Sequence, residues 1–320
     1  MNTRRTFIRQ AGLFAAGTLA YPGITGARSP FAAARHRSYG LQLFTLTQPM
    51  LQDPGGTLKK VAAIGYKELE TAYAPGSYFY GFKPRAFAGL VSSLGMTVRA
   101  QHVLGAPFDL AKLEAAARQM HDNDPEKVRQ MLQGFKFLAE LPTLTHDVQR
   151  IVDDAAEAGI SYLVCSSIPV GNMDEIKTAV EVFNNAGEAC KKAGLQFAYH
   201  NHSNEFDPVE GTTPFDYILS HTDPQLVKME LDLGWTAKAG KDPVKLFSEH
   251  KGRFPLWHIK DFNADFTKIT EVGAGSIDFK RVFAHAKDSG MRYFFLEQDN
   301  PPDPLVNVTN GLHNLQRMLD

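Results

Sequence analysis

Apolar residues fall along the chain in short runs, separated by longer segments whose apolar positions recur at helical spacing. The runs at 39–46, 66–71, 96–102, 160–166, 195–200, 226–233, 254–260 and 292–297 read as strands. Segments 57–64, 83–94, 145–158, 174–193, 214–220, 243–250, 278–289 and 305–319 read as helices. Several of these begin with a proline in the first turn, and Gly65, Gly95, Gly159, Gly194 and Gly290 stand where helical patterns stop. Residues 107–141 are helical in composition but break at 121–125, and they read as an elaborated loop with its own helix or two.

Strands alternating with helices imply parallel pairing and right-handed crossovers. Eight such units, with no glycine-rich phosphate turn after the first strand, favour a closed barrel over an open doubly wound sheet. The fold class predicted is α/β, a single-domain (β/α)8 TIM barrel over residues 35–320.

The first 34 residues follow a different pattern. Thr3-Arg4-Arg5-Thr6-Phe7-Ile8-Arg9 precedes a modest apolar run and then small residues, the order of a twin-arginine export signal. The apolar run is shorter than the roughly 20 residues a membrane span needs. The expectation is a periplasmic or secreted protein with no stable membrane association once the signal is removed. Loss of residues 1–34 removes four arginines and no acid, leaving 30 Lys+Arg against 35 Asp+Glu, a formal charge of −5. A mildly acidic chain argues against a nucleic-acid surface. Cys165 and Cys190 read as buried thiols rather than a disulfide. The pattern is compatible with an oligomer as well as a monomer.

Polar residues collect where the strands end. Phe197-Ala198-Tyr199-His200-Asn201-His202 passes from apolar to three polar residues within one strand. Glu70, His102, Glu230, Asp232, His258, Lys260 and Glu297 stand near other strand ends. Side chains alternate faces along a strand, so Glu230 shares a face with Asp232, His258 with Lys260, and His200 with His202. In a barrel these ends form one mouth. Among them a His, Asp, His and Glu combination would supply two imidazoles and two carboxylates, a mix suited to one divalent ion such as Mn, Co, Zn or Fe. Glu297, Lys260 and His102 are candidate catalytic residues, and Glu70, His202 and Trp235 are candidate substrate contacts. Glu205 lies past its strand and reads as a loop cap.

These stretches resemble the sugar phosphate isomerase/epimerase family of xylose isomerase-like barrels, from about Tyr39 to the C-terminus. The resemblance is carried by Gly40-Leu41-Gln42-Leu43, Tyr199-His200-Asn201-His202-Ser203-Asn204-Glu205-Phe206, Glu230-Leu231-Asp232-Leu233-Gly234-Trp235, Trp257-His258-Ile259-Lys260-Asp261, Glu271-Val272-Gly273-Ala274-Gly275-Ser276-Ile277-Asp278 and Glu297-Gln298-Asp299. It implies a metal held after strands 5 to 8 by a glutamate, an aspartate, a histidine and a glutamate. Asp232, His258 and Glu297 match the last three, and His200 stands where a glutamate is expected. Relatives that epimerise use two metal-bound glutamates as an acid/base pair, and here only Glu297 remains of it. The expected function is a metal-dependent sugar isomerase/epimerase acting by proton abstraction next to a carbonyl on a carbohydrate or polyol. The alternatives are a lyase or dehydratase on a keto-sugar or keto-glycoside, and a non-catalytic sugar-binding protein on the same scaffold. Phosphodiester cleavage of the endonuclease IV kind fits poorly with an acidic, exported chain.

Overall fold

The computed structural model describes residues 38–120 and 123–320, so the segment read as an export signal, residues 1–34, lies outside the described residues. Ten strands occur among the described residues: β1 (Gly40–Gln42), β2 (Glu68–Thr71), β3 (Thr97–Leu104), β4 (Tyr162–Ser167), β5 (Gln196–His200), β6 (Val227–Asp232), β7 (Leu256–Ile259), β8 (Asp261–Phe262), β9 (Ile269–Thr270) and β10 (Tyr293–Leu296). Eight of them close a parallel barrel in the order β1-β10-β7-β6-β5-β4-β3-β2, while β8 and β9 form a small antiparallel ribbon. The barrel is the expected (β/α)8 architecture. Among the described residues no helix is long and apolar enough to cross a membrane.

The alternation read along the strands sets the two faces. Outward side chains pack on helices: Phe197 and Tyr199 meet Phe183 of the helix Met173–Lys192, and Trp257 stacks on Phe247 of the helix Pro243–Glu249. Inward side chains form layers. Ala100, Val164, Ala198, Leu256 and Phe295 make a fully buried apolar layer. His102, His200 and His258 lie two residues further along their strands, so the polar layer begins directly above it.

Helix starts follow a repeated local rule. In the helices beginning at Pro54, Pro125, Pro214, Pro243 and Pro304, the preceding Asp53, Asp124, Thr213, Asp242 or Asp303 accepts from a first-turn N–H while proline supplies a preset φ. The 107–141 region forms the helices Leu110–Met120 and Pro125–Phe135 and a 3-10 turn at Lys136–Glu140.

Three differences from the sequence reading bear on the site. The strand expected over 39–46 stops at Gln42, because the Gln42 side chain accepts from Phe44 N and turns Leu43–Leu46 into a 3-10 helix. The strand expected over 254–260 ends at Ile259, and Asp261 then starts the β8–β9 ribbon. A short helix, Leu233–Lys238, begins where β6 ends, capped by the Asp232 carboxylate on Trp235 N. The two cysteines are buried free thiols, as expected, with burial pushing both up to about 12.

Gly40 decides how the barrel closes. A Cβ there would stand 2.3 Å from Phe294 O and 2.6 Å from the Phe295 ring, which fills the barrel interior. Gly40→Ala is expected to destabilise the protein by about 1–3 kcal/mol through overpacking. The urea unfolding midpoint checks it, and an unchanged midpoint would show that β1 and β10 can part freely.

Candidate active site at the barrel mouth

Strand register delivers the mouth residues. His200 of β5 pairs with Glu230 of β6, Asp232 of β6 with His258 of β7, and Phe295 of β10 with His258, which places Glu297 two residues above. The Glu297 N–H donates to Ile259 O at 3.1 Å and continues this ladder. Asn201 ties β5 to β6 by accepting from Asp232 N at 3.2 Å.

His200, Asp232, His258 and Glu297 offer ligand atoms that all lie within 4.8 Å of one another, and all four are buried. The structure therefore brings together the four residues read from the sequence as a metal set. Their donor chemistry fits a divalent ion, as does the buried Asp232 Oδ2, which has no hydrogen-bond partner. The charge balance also fits. Four carboxylates, from Glu70, Glu230, Asp232 and Glu297, lie fully or almost fully buried around the Lys260 ammonium and the His258 ring, so a divalent ion would offset charge there.

Lys260 is 1% exposed, and its Nζ stands 3.2 Å from Asp232 Oδ2, 3.0 Å from Glu297 Oε2 and 3.0 Å from Asp299 Oδ2. Burial works against its charge, but Asp232, Asp299 and Glu297 outweigh burial and hold its pKa well above the ordinary value. Burial would raise Glu297, but Lys260 and His258 outweigh it and hold the carboxyl well below the usual range. Lys260 is thus an ammonium and Glu297 a carboxylate at neutral pH. Burial raises Asp232, with Lys260 and His258 offsetting part of the effect. Gly234 makes room for this arrangement, since a Cβ there would meet Lys260 O at 2.8 Å and Lys260 Cβ at 3.0 Å.

His258 presents a carboxylate to each ring nitrogen: Nδ1 lies 2.7 Å from Glu297, and Nε2 lies 2.5 Å from Glu70 and 3.1 Å from Glu230. Burial opposes its charge, but Glu230, Glu297 and Glu70 together raise its pKa well above the ordinary value. Burial, aided by the neighbouring His258 charge, holds His200 well below it, so that ring is neutral and free to ligate.

The remaining sequence candidates divide by depth. His202 and Trp235 are partly exposed at the mouth, with ring centroids 6.0 Å apart, and the Lys260 ammonium lies 5.0 Å from the Trp235 ring. Glu205 accepts from His202 N at 2.8 Å and from Tyr199 OH at 2.8 Å, the cap role expected of it. Glu70, read as a substrate contact, is instead fully buried beneath the mouth, where it accepts from Gln42 at 2.8 Å and meets His258. The register shift between Leu69 and Glu70 accompanies this placement on β2. Burial, with Glu230 nearby, pushes Glu70 up to about 7. His102, read as an aid to proton transfer, is 5% exposed, and its Nε2 sits 2.7 Å from Glu230. Two residues of the cluster carried no role in the sequence reading. Asp299 contacts Lys260 two residues past Glu297, and Glu230 lies one inward step below Asp232; both were visible as period-two neighbours.

Lys260→Met leaves the buried Asp232 and Glu297 carboxylates without their ammonium. The expected loss is about 3–5 kcal/mol of folding stability in the presence of a chelator, as for one-sided removal of a buried ion pair. Denaturant titration measures it, and a change below the error of the titration would mean that these carboxylates do not depend on Lys260.

The xylose isomerase-like TIM barrel family model matches residues 58–317. A sugar phosphate isomerase/epimerase structure from Parabacteroides distasonis ATCC 8503 is 27% identical, with a TM-score of 0.68 over 90% of this chain and 97% of that one. The structure of the IolI protein with a bound zinc atom has a TM-score of 0.62 over 88% of this chain and 98% of that one, and at 13% identity it shows the shared fold alone. An inosose dehydratase from Clostridium perfringens is 26% identical over 151 residues, 41% of this chain and 50% of that protein. The chain spans about half the length of the curated relatives it matches. With most of its length covered by the family model and its eight-stranded parallel barrel closed, the chain belongs to the xylose isomerase-like TIM barrel family.

Proposed function

We propose that this protein is a divalent-metal-dependent enzyme that removes a proton next to a carbonyl on a carbohydrate or polyol, in the isomerase/epimerase class. The observation that carries this reading is the convergence of His200, Asp232, His258 and Glu297 from four adjacent barrel strands, with an ionised Lys260 against two of the carboxylates. A divalent ion held by those four residues would supply Lewis-acid polarisation of a substrate carbonyl and its neighbouring hydroxyl. The chain's own groups supply the proton chemistry. Glu297, kept ionised, takes the proton from the carbon. Lys260, kept protonated beside it, donates a hydrogen bond to the oxygen on which negative charge develops. The half-buried Trp235 face and the His202 ring flank the sugar and orient it.

A specific observation favours a second outcome of the same first step. The resemblance implies two metal-bound glutamates as an acid/base pair; here Glu297 is grouped with a histidine, His200, in place of the second. A single base serves isomerisation, or loss of a β-hydroxyl, more directly than inversion of a stereocentre. The relatives named inosose dehydratase support elimination of water as that alternative.

The test is incubation in D₂O with a panel of aldoses, ketoses and cyclic keto-polyols. Deuterium should enter the carbon beside the carbonyl, and a product lighter by one water would assign elimination. Chelation should abolish turnover, and Mn²⁺, Co²⁺, Zn²⁺ or Fe²⁺ should restore it. Glu297→Gln should lower kcat by about 10²–10⁴-fold. Full turnover after complete metal removal would overturn the metal-dependent reading.

We also propose export of the folded protein by the twin-arginine route. Replacing Arg4 and Arg5 together by lysine should leave the full-length chain in the cytoplasmic fraction. Unchanged periplasmic recovery of the shortened chain would overturn that.

A further inference from the structure

We propose a second, deeper seat for a divalent cation inside the barrel, formed by His102, His200, Glu230 and His258. These four buried residues offer ligand atoms within 4.8 Å of one another. Glu230 Oε2 is the hub, 2.7 Å from His102 Nε2, 3.1 Å from His200 Nδ1 and 3.1 Å from His258 Nε2. Donors bound about 2.0–2.1 Å from one ion stand roughly 3.0–3.4 Å apart; the two 3.1 Å spacings fall in that range, and the other pairs lie within 4.8 Å.

Hydrogen bonding alone leaves the cluster incomplete. One carboxylate oxygen faces three imidazole nitrogens with two lone pairs to offer. The other oxygen, Glu230 Oε1, is buried with no hydrogen-bond partner, and so is Glu70 Oε1 beside it. Glu70 and Glu230 are both fully buried, and both carry a carboxylate that water cannot reach. The apolar layer of Ala100, Val164, Ala198, Leu256 and Phe295 closes the space beneath. A cation among the four residues would take the imidazole lone pairs as ligands and would offset the two carboxylates at once. Three nitrogens and one oxygen suit Zn²⁺ or Co²⁺ and disfavour Mg²⁺ or Ca²⁺.

This seat differs from the mouth set in chemistry and in reach. It replaces Asp232 and Glu297 with His102 and Glu230, one inward step down β6 and across on β3. His200 and His258 belong to both sets, and His258 turns Nδ1 toward Glu297 and Nε2 toward Glu230. His258 thus offers a different nitrogen to each seat. The deeper seat shares residues with the proposed mouth centre but binds without it.

The experiment strips the full chain with a chelator, reloads it with Co²⁺, and counts bound equivalents by elemental analysis alongside the visible d–d spectrum. The Asp232→Asn/Glu297→Gln double variant, which loses both mouth carboxylates, should still bind one equivalent. Adding Glu230→Gln should abolish that binding. A folded double variant that binds no Co²⁺, or a triple variant that binds as much as the double, overturns the deeper seat. Near-UV circular dichroism verifies folding. Should the double variant not fold, Asp232→Asn alone with and without His102→Gln gives the same comparison: Co²⁺ released by the added substitution supports the seat, and equal binding, or none in Asp232→Asn, overturns it. Failure here leaves the mouth reading standing, because wild-type loading and chelator-sensitive turnover are read separately.

Discussion

Ionised side chains in the middle of a barrel must neutralise one another, because little water reaches them and an unpaired charge there is strongly disfavoured. The mouth of this barrel is arranged around that constraint. His258 is its pivot, with Glu297 on one ring nitrogen and Glu70 and Glu230 on the other. Lys260, two residues further along the same strand direction, answers Asp232, Glu297 and Asp299. Both cations come from β7 and its end, and the carboxylates come from the strands on either side and from β2 across the barrel. Remove the two cations and the polar layer loses its internal balance, however well the outer helices pack.

The same constraint links local sequence to site geometry. The β6 end must bring Asp232 level with His258, and it does so because the strand stops there and the Asp232 carboxylate caps the next helix. The β7 end must pass close to that helix, and Gly234 leaves the space. The Asn201 side chain, buried between β5 and β6, holds the third strand in register. These are small devices, each one residue long. Together they place the ligand atoms of four strands within a few ångströms. A methyl group at Gly234 would press on the backbone oxygen and stem of Lys260.

Much of this was legible in the chain itself. The alternation of strands and helices gave the barrel, and period-two spacing correctly set His258 with Lys260 and Glu230 with Asp232 on the inner face. Depth was not legible. Glu70 and Glu230 stand near strand ends in the sequence just as Glu297 does, yet both are completely closed off from the surface. Depth depends on how strands stagger around a closed barrel and on the register shift at Glu70, and neither leaves a local mark. The turn at Leu43–Leu46 was hidden for a related reason: its apolar residues look like a strand, and a single side-chain cap from Gln42 decides otherwise. Asp299 was passed over because it follows the strand, although it shares parity with Glu297.

The substitution of an imidazole at position 200 has consequences on both sides of the polar layer. Toward the mouth, a neutral ring brings no negative charge to the group it forms with Asp232, His258 and Glu297, and the proposed base Glu297 has no second glutamate as partner there. Toward the interior, the same ring turns Nδ1 to Glu230 and completes a group of three imidazoles that a glutamate there could not form. A glutamate at 200 would instead add one more carboxylate to a cluster that already holds Glu70, Glu230, Asp232, Glu297 and Asp299. One residue thus ties the one-sided proton chemistry proposed at the mouth to the nitrogen-rich pocket beneath it, and a chain that keeps one feature has a physical reason to keep the other.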